Sequence, residues 1–155
     1  MEPIVNQVHE LLIKNKKTIS VAESCTGGLI SFLLTQVSGS SAYFNLGLVN
    51  YSNEAKNRIL KIPSSLIAKK GAVSKEVARK MAQSCRKIAK TDLGLSITGI
   101  AGPTGATPDK PIGTVFIAVS SSKITVCNKF RFTGNRGRIR KQAALKSLEM
   151  LKKLI

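Results

Sequence analysis

The chain has 155 residues, 43% of them hydrophobic, and its 25 lysines and arginines outnumber its 8 acidic residues to give a formal net charge of +17. This length and apolar content predict one compact domain over residues 1–155 and exclude a disordered chain. One histidine, three scattered cysteines and few carboxylates argue against a metal site and against a disulfide framework, so we expect no metal and no cofactor.

The predicted elements begin with a helix over residues 2–16, where apolar residues recur at helical spacing. A buried strand over 18–23, a helix over 29–37 and a strand over 42–51 follow. The next helix begins at Ser52 or Asn53, either of which is a suitable N-cap.

The second half of the chain begins with a strongly periodic helix over 74–90. Ser74 is its predicted N-cap, and its apolar stripe consists of Val77, Met81, Cys85 and Ile88. Strands over 93–97, 113–120 and 123–132 come next, the last two as an antiparallel hairpin. A final helix from about Asn135 is expected to bury Ala144, Leu148, Leu151 and Ile155.

This order of elements predicts an α/β fold, a three-layer α/β/α sandwich around a mixed sheet of about five strands. Parallel strands joined by crossover helices end at the same edge of the sheet, where open α/β sheets bind ligands. The first three strands run into "ESCTGG" (23–28), "NYSNEAK" (50–56) and "TGIAGP" (98–103). We therefore expect these three segments to line one crevice.

The charge pattern of the chain bears on its partners and its location. No cationic segment leads into an apolar stretch at the start, and no uninterrupted apolar run is long enough to span a membrane. We expect a cytoplasmic protein without a membrane partner. The basic residues fall mainly in predicted helices, and no aromatic residue interleaves with them as a base-stacking surface requires. We interpret +17 as solvated helix faces and do not expect a nucleic-acid partner.

Two side chains of the crevice could serve as nucleophile and one as base. Ser24 and Cys25 stand where a helix begins, and a helix N-terminus lowers a thiol pKa. No histidine lies near them in sequence, but Lys56 follows the next strand, and a lysine whose pKa is lowered by burial can deprotonate a serine. Tyr51 could orient the pair or stack on a planar ring. The alternative is structural: a capped turn, a solvated lysine and an aromatic residue in the core.

Two further segments could bind an anion. Thr98 and the amides of Gly99 and Gly102 form a loop able to wrap a phosphate or a sugar, although glycine and proline are also ordinary turn residues. Arg136 and Arg140 begin the last helix, where a solvated basic face is the alternative to phosphate binding.

Six motifs in order, "AESCTGG", "YSNEAK", "GAVS", "TGIAGPTG", "KPIGTV" and "FTGNR", resemble the CinA C-terminal domain family, whose best-known members are nicotinamide-nucleotide amidases. The similarity covers about residues 5–153. It implies the three-layer fold and hydrolysis of nicotinamide mononucleotide to nicotinate mononucleotide and ammonia. The resemblance makes Ser24 the nucleophile and Lys56 the base, with the backbone amides between Cys25 and Gly28 stabilising the oxyanion.

The resemblance and the crevice together assign a substrate-binding role to a wider set of residues: Glu23, Cys25, Thr26, Gly27, Gly28, Tyr51, Asn53, Thr98, Gly99, Gly102, Arg136 and Arg140. Glu23 either orients Lys56 or caps local polar groups. We expect the partner to be a small-molecule nucleotide and the protein to form a homo-oligomer, with a dimer as our prediction. The competing hypotheses are a non-catalytic nucleotide-binding module and, last, a basic nucleic-acid-binding protein.

Overall fold

The computed structural model describes residues 2–155 and is built around five strands: β1 (Ile19–Glu23), β2 (Phe44–Val49), β3 (Leu93–Gly99), β4 (Thr114–Ser120) and β5 (Thr125–Arg131). They form one sheet in the order β2-β1-β3-β4-β5. Strand β1 runs parallel to both β2 and β3, whereas β4 is antiparallel to β3 and to β5. The predicted α/β class with a mixed, five-stranded sheet is confirmed.

The helices are α1 (Pro3–Lys14), α2 (Leu29–Thr35), α3 (Asn53–Arg58), α4 (Ser64–Lys70), α5 (Lys75–Ala89) and α6 (Arg136–Lys152), with a short 3-10 turn at Ser40–Ala42. Helices α1, α2 and α6 pack on one face of the sheet, and α4 and α5 cover the other. Helix α4 is absent from the sequence prediction, because a seven-residue helix behind Pro63 is too short to show a clear apolar period.

Strand β1 explains why the sheet needs a layer of helices on each face. Ile19 and Val21 point into the core formed with α1, α2 and α6, while Ala22 packs with the core of α5. All five residues of the strand are buried. A parallel strand that is buried on both faces has mostly apolar residues, without the alternation of polar and apolar side chains seen in a half-exposed strand. In β1 the two polar exceptions are Ser20 and Glu23.

Helix α5 fixes the distance between its layer and the sheet. Its N-cap is Ser74, as predicted, and Ser74 Oγ accepts a hydrogen bond from the amide of Val77 at 3.3 Å. The prediction for Ile88 is wrong, since 49% of this side chain is exposed where the helix leaves the sheet. Helix α5 and strand β3 approach each other closely at Gly94, where an added Cβ would lie 2.2 Å from the carbonyl oxygen of Ala82. Only glycine fits there.

Helix α6 closes the opposite layer. Ala144, Leu148 and Leu151 are fully buried, as predicted, and Ile155 is partly buried against the same core. Asn135 caps this helix by accepting a hydrogen bond from the amide of Arg138 at 2.9 Å. Within residues 2–155 no helix has the length and apolar character needed to cross a membrane.

Candidate active site

The ends of β1, β2 and β3 meet at one edge of the sheet, and hydrogen bonds continue between the segments beyond the strands. The amide of Ser24 donates to the carbonyl of Ile97 at 3.1 Å, and the amide of Asn50 donates to the carbonyl of Glu23 at 2.9 Å. The turn after β1 is therefore held between its two neighbouring strands. Helix α3 starts three residues after Asn50 and carries Lys56 back towards that turn.

Ser24 and Lys56 lie in direct contact, although 32 positions separate them in the chain. Lys56 Nζ is 3.1 Å from Ser24 Oγ. The lysine is only 1% exposed, whereas Ser24 retains 9% exposure at the surface of the crevice. The dyad is therefore almost entirely removed from water, the amine more completely than the serine.

Two backbone carbonyls hold the amine of Lys56 in place. Its Nζ donates to the carbonyl of Asn50 at 2.8 Å and to the carbonyl of Tyr51 at 3.1 Å. A neutral amine has two N–H groups and one lone pair. If the two carbonyls take the N–H groups, the lone pair is left for the hydroxyl proton of Ser24.

Burial makes the neutral amine accessible near physiological pH. Removal from water lowers the pKa of Lys56 to about 8, from an ordinary value of 10.5. None of the ion pairs among residues 2–155 involves Lys56. A lysine with this pKa can act as a general base, because a useful fraction of it is unprotonated at neutral pH.

Burial favours the neutral form of Cys25 as well, but for a thiol the neutral form is the unreactive one. Its side chain is buried, and removal from water raises the pKa of its thiol to about 12. The protonated thiol is a poor nucleophile. Of the two adjacent candidates, only the serine contacts a base.

Of the two local roles predicted for Glu23, to orient Lys56 or to cap polar groups, its contacts match the second. Its carboxylate is fully buried and accepts hydrogen bonds from the amides of Gly28, Ile30 and Ser31 and from Ser31 Oγ, at 2.7–3.1 Å. These groups belong to the first turn of α2, whose unpaired amides attract a negative charge. Glu23 caps this helix, and its carboxylate makes no hydrogen bond to Lys56 within residues 2–155.

In the turn after Ser24, two backbone amides donate hydrogen bonds within the protein and two do not. Gly27 and Gly28 adopt left-handed conformations, with φ of 59° and 97°. Their amides donate to the carbonyl of Ser24 and to Glu23, so these two N–H groups are engaged within the protein. The amides of Cys25 and Thr26, by contrast, donate to no acceptor in the described part of the chain.

Arg140 contacts the backbone of the same turn. Its Nε donates to the carbonyl of Cys25 at 3.1 Å, and one Nη donates to the carbonyl of Thr26 at 2.6 Å. Two of its N–H groups thus bind the backbone of the turn that carries Ser24.

Tyr51 and Arg136 form a connected pair at the rim of the crevice. Tyr51 is 59% exposed, which excludes a core position, and its hydroxyl accepts a hydrogen bond from Arg136 at 2.9 Å. A second donor of Arg136 binds the carbonyl of Gly102 at 2.8 Å. The predicted residues Tyr51, Gly102 and Arg136 are therefore brought together.

Three other predicted binding residues pack within the protein or face solvent. Thr98 is buried, and its hydroxyl donates to the carbonyl of Ala72 at 2.9 Å. Gly99 permits close packing of β3 on β4, since an added Cβ would lie 2.6 Å from a methyl carbon of Val115. Asn53 is exposed at the start of α3, and its side chain forms no hydrogen bond with any residue from 2 to 155. No hydrogen bond within residues 2–155 joins the side chain of Thr98 or Asn53 to Ser24 or Lys56.

Asn50 is a site residue that the sequence reasoning missed. Its carbonyl holds Lys56, and the residue is fully buried. Two polar oxygens around the dyad, Asn50 Oδ1 and Thr26 Oγ1, are buried without a hydrogen-bond partner in residues 2–155. The position of Asn50 directly after β2 was the available signal. No group of three or more His, Cys, Asp or Glu side chains over the same residues is placed to hold a metal ion.

Comparison with protein families gives one match over the whole chain. The model of the CinA C-terminal domain matches residues 1–155. A putative competence-damage inducible protein of Thermoanaerobacter pseudethanolicus is 46% identical over 154 residues, and a CinA-like protein of Geobacter sulfurreducens is 51% identical over 136 residues. These alignments cover 99% and 88% of this chain but only 37% and 33% of the relatives. The chain thus spans about a third of the length of the curated relatives it matches.

Solved structures share the fold over almost their full length. The competence damage-inducible protein A (ComA) of Klebsiella pneumoniae superimposes with a TM-score of 0.94 at 28% identity, covering 97% of this chain and 93% of that one. The competence/damage inducible protein CihA of Agrobacterium tumefaciens gives 0.93 at 33% identity, with 97% and 94% covered.

Proposed function

Because this chain belongs to the CinA C-terminal domain family, we propose that it is a metal-independent amidohydrolase that converts nicotinamide mononucleotide to nicotinate mononucleotide and ammonia. The names of its relatives speak of competence and damage and describe no reaction. The proposal therefore depends on one observation, the buried amine of Lys56 in contact with Ser24 Oγ. Such a pair is the serine–lysine form of nucleophile activation.

In the first half of the proposed reaction the serine is acylated. Neutral Lys56 accepts the hydroxyl proton of Ser24 while Oγ attacks the carboxamide carbon of the substrate. The ammonium of Lys56 then donates that proton to the amide nitrogen as the C–N bond breaks. Ammonia leaves, and the nicotinoyl group remains as an ester on Ser24.

In the second half a water molecule takes the place of the released ammonia and hydrolyses the ester. Lys56 accepts a proton from a water molecule as that water attacks the ester carbon, and it returns the proton to Ser24 Oγ as the ester bond breaks. The products are nicotinate mononucleotide and free enzyme. The atoms balance without a cofactor.

The negative charge that develops on the carbonyl oxygen needs hydrogen-bond donors. We assign this role to the amides of Cys25 and Thr26, since they directly follow the nucleophile and have no acceptor within residues 2–155. Donors placed where charge develops in the transition state are commonly the largest single contribution to catalysis.

We assign the substrate phosphate to Arg136. Its guanidinium has five N–H groups, and the hydrogen bonds to Tyr51 and Gly102 use two of them. The others can bind a phosphate at the rim, where the exposed ring of Tyr51 can also stack on the pyridine.

The proposal is tested by incubating the purified protein with nicotinamide mononucleotide and EDTA and measuring ammonia release. We expect turnover, and we expect Ser24→Ala and Lys56→Ala each to lower kcat by about 10³-fold or more, because a nucleophile and its base act as a unit. Ser65→Ala, at an exposed serine of α4, is the control and should retain activity.

Two results would contradict the proposal. One is the absence of ammonia release by the wild-type protein, and the other is full activity in both dyad variants. If calorimetry showed saturable binding of the mononucleotide without turnover, the protein would instead be a nucleotide-binding module.

A further inference from the structure

Arg140 reaches from α6 to the turn that carries the nucleophile, across 115 positions of the chain. It donates to two consecutive carbonyls, those of Cys25 and Thr26. Its guanidinium also packs against Gly27, where an added Cβ would lie 3.4 Å from one Nη. The side chain is half-buried, and none of the ion pairs in residues 2–155 involves it. Its bonding partners are the peptide groups of the turn.

Holding these carbonyls determines where the neighbouring amides point. In a planar trans peptide the C=O of one residue and the N–H of the next point in opposite directions. With the carbonyl of Cys25 bound to Arg140, the N–H of Thr26 must point away from the guanidinium and from α6. The carbonyl of Ser24 is likewise fixed by the amide of Gly27, which turns the N–H of Cys25 away from that contact.

The positive charge also strengthens the donor at Thr26, whose peptide group contains the carbonyl of Cys25. A charged donor on a carbonyl polarises the whole peptide group, so the N–H at its other end becomes a better hydrogen-bond donor. Arginine suits this task because its charge persists at every physiological pH and its fork can bind two oxygens at once.

We propose that Arg140 is a positioning residue for an oxyanion hole formed by the amides of Cys25 and Thr26: it orients and polarises the Thr26 amide directly, it holds the turn that carries the Cys25 amide, and it does not bind the substrate. This inference rests on the amidase function proposed above. It differs from the role that the sequence indicated for Arg140, which was contact with the substrate.

The test compares Arg140→Ala and Arg140→Lys with Arg138→Ala. Arg138 is an exposed arginine two positions away on the same helix and serves as the matched control. For Arg140→Ala we expect kcat to fall about 10²-fold, the scale of losing an oxyanion donor. KM for nicotinamide mononucleotide should stay within about threefold, since ground-state binding is untouched. Arg140→Lys, which keeps the charge but not the fork, should be intermediate.

Chemical rescue separates positioning from a merely structural role. Millimolar guanidinium should restore kcat of Arg140→Ala by about tenfold or more, because the small cation can occupy the site that the side chain leaves. A variant that is merely destabilised would not regain activity, because millimolar guanidinium neither replaces a lost contact in the core nor measurably changes the free energy of unfolding. If Arg140→Ala does not fold, Arg140→Lys is decisive: an unchanged kcat overturns the proposal.

The other possible results distinguish a failure of the proposed function from a failure of the inference about Arg140. A wild-type protein without ammonia release contradicts the proposed function, and this inference with it. An active wild type whose Arg140 variants keep their kcat, or lose only KM, contradicts this inference alone. A loss of kcat in Arg140→Ala that guanidinium does not restore also overturns it.

Discussion

Replacing Lys56 with methionine separates the chemistry of the amine from the cost of burying it. Methionine has a similar length and shape but no charge, so it can fill the space that the lysine side chain occupies. Activity should be lost, because no base then contacts Ser24. The stability of the variant should nevertheless differ from that of the wild type in a way that depends on pH.

The size of this effect follows from the burial of Lys56. Its pKa is about 8 in the folded protein and 10.5 as its ordinary value. A tenfold change in a protonation equilibrium corresponds to about 1.4 kcal/mol, so the folded protein loses about 3 kcal/mol of stability between pH 10.5 and pH 8 through this residue. Above pH 10.5 the amine is neutral in both states and the loss disappears. Below pH 8 it is protonated in both, and the loss is complete and constant.

The assay is urea unfolding of the wild type and of Lys56→Met at several pH values between 7 and 10.5. Subtracting one free energy of unfolding from the other cancels the titration of the other lysines. The advantage of the variant should be greatest at pH 7 and should shrink by about 3 kcal/mol as pH rises, whatever its hydrogen bonds to Asn50 and Tyr51 contributed. A difference independent of pH would show that Lys56 titrates normally, and the reasoning for a lysine base would fail.

The same proton should govern the rate. Because the neutral amine is the active form, kcat/KM is expected to rise as pH increases through about 8 and then to level off. A rate that falls over this range would contradict the assignment of Lys56 as the base.

Three other substitutions test the supports of the site by urea unfolding or by activity. Glu23→Gln removes the charge that caps α2 and should cost about 2 kcal/mol, whereas Glu54→Gln, in an exposed ion pair, should cost about 0.5 kcal/mol or less; equal effects would contradict the capping role. Gly94→Ala should cost more than about 2 kcal/mol through the clash with α5, while Gly137→Ala in the open first turn of α6 should not destabilise the protein. Cys25→Ala should keep at least half of the ammonia release, and inactivation of the wild type by iodoacetamide would argue against a buried, protonated thiol.

Much of the frame of this protein could be predicted from local patterns. Apolar periodicity and N-caps at Ser52 and Ser74 located α3 and α5, and the alternation of strands and helices predicted a mixed sheet. Parallel strands end at one edge, so the chain order alone suggested that Ser24 and Lys56 lie close together. The short helix α4 escaped prediction because seven residues carry too little periodic signal.

The roles of individual polar groups required the tertiary structure. Glu23, Thr98 and Arg140 all looked suited to a ligand, yet each is bonded to the protein's own backbone. Their residue types fit either partner, and only the positions of distant segments decide between them. Arg140 meets Cys25 across 115 positions, and no local pattern records that distance.

What the sequence by itself determined is the class of fold, the edge of the sheet where a site lies, and the residue types present there. What only the tertiary structure decided is which of those residues are free to react. The low pKa of Lys56 arises from its burial, and the folded turn leaves the amides of Cys25 and Thr26 without an acceptor within residues 2–155. Burial and hydrogen bonding are properties of the packed chain, since both depend on which segments the fold brings into contact.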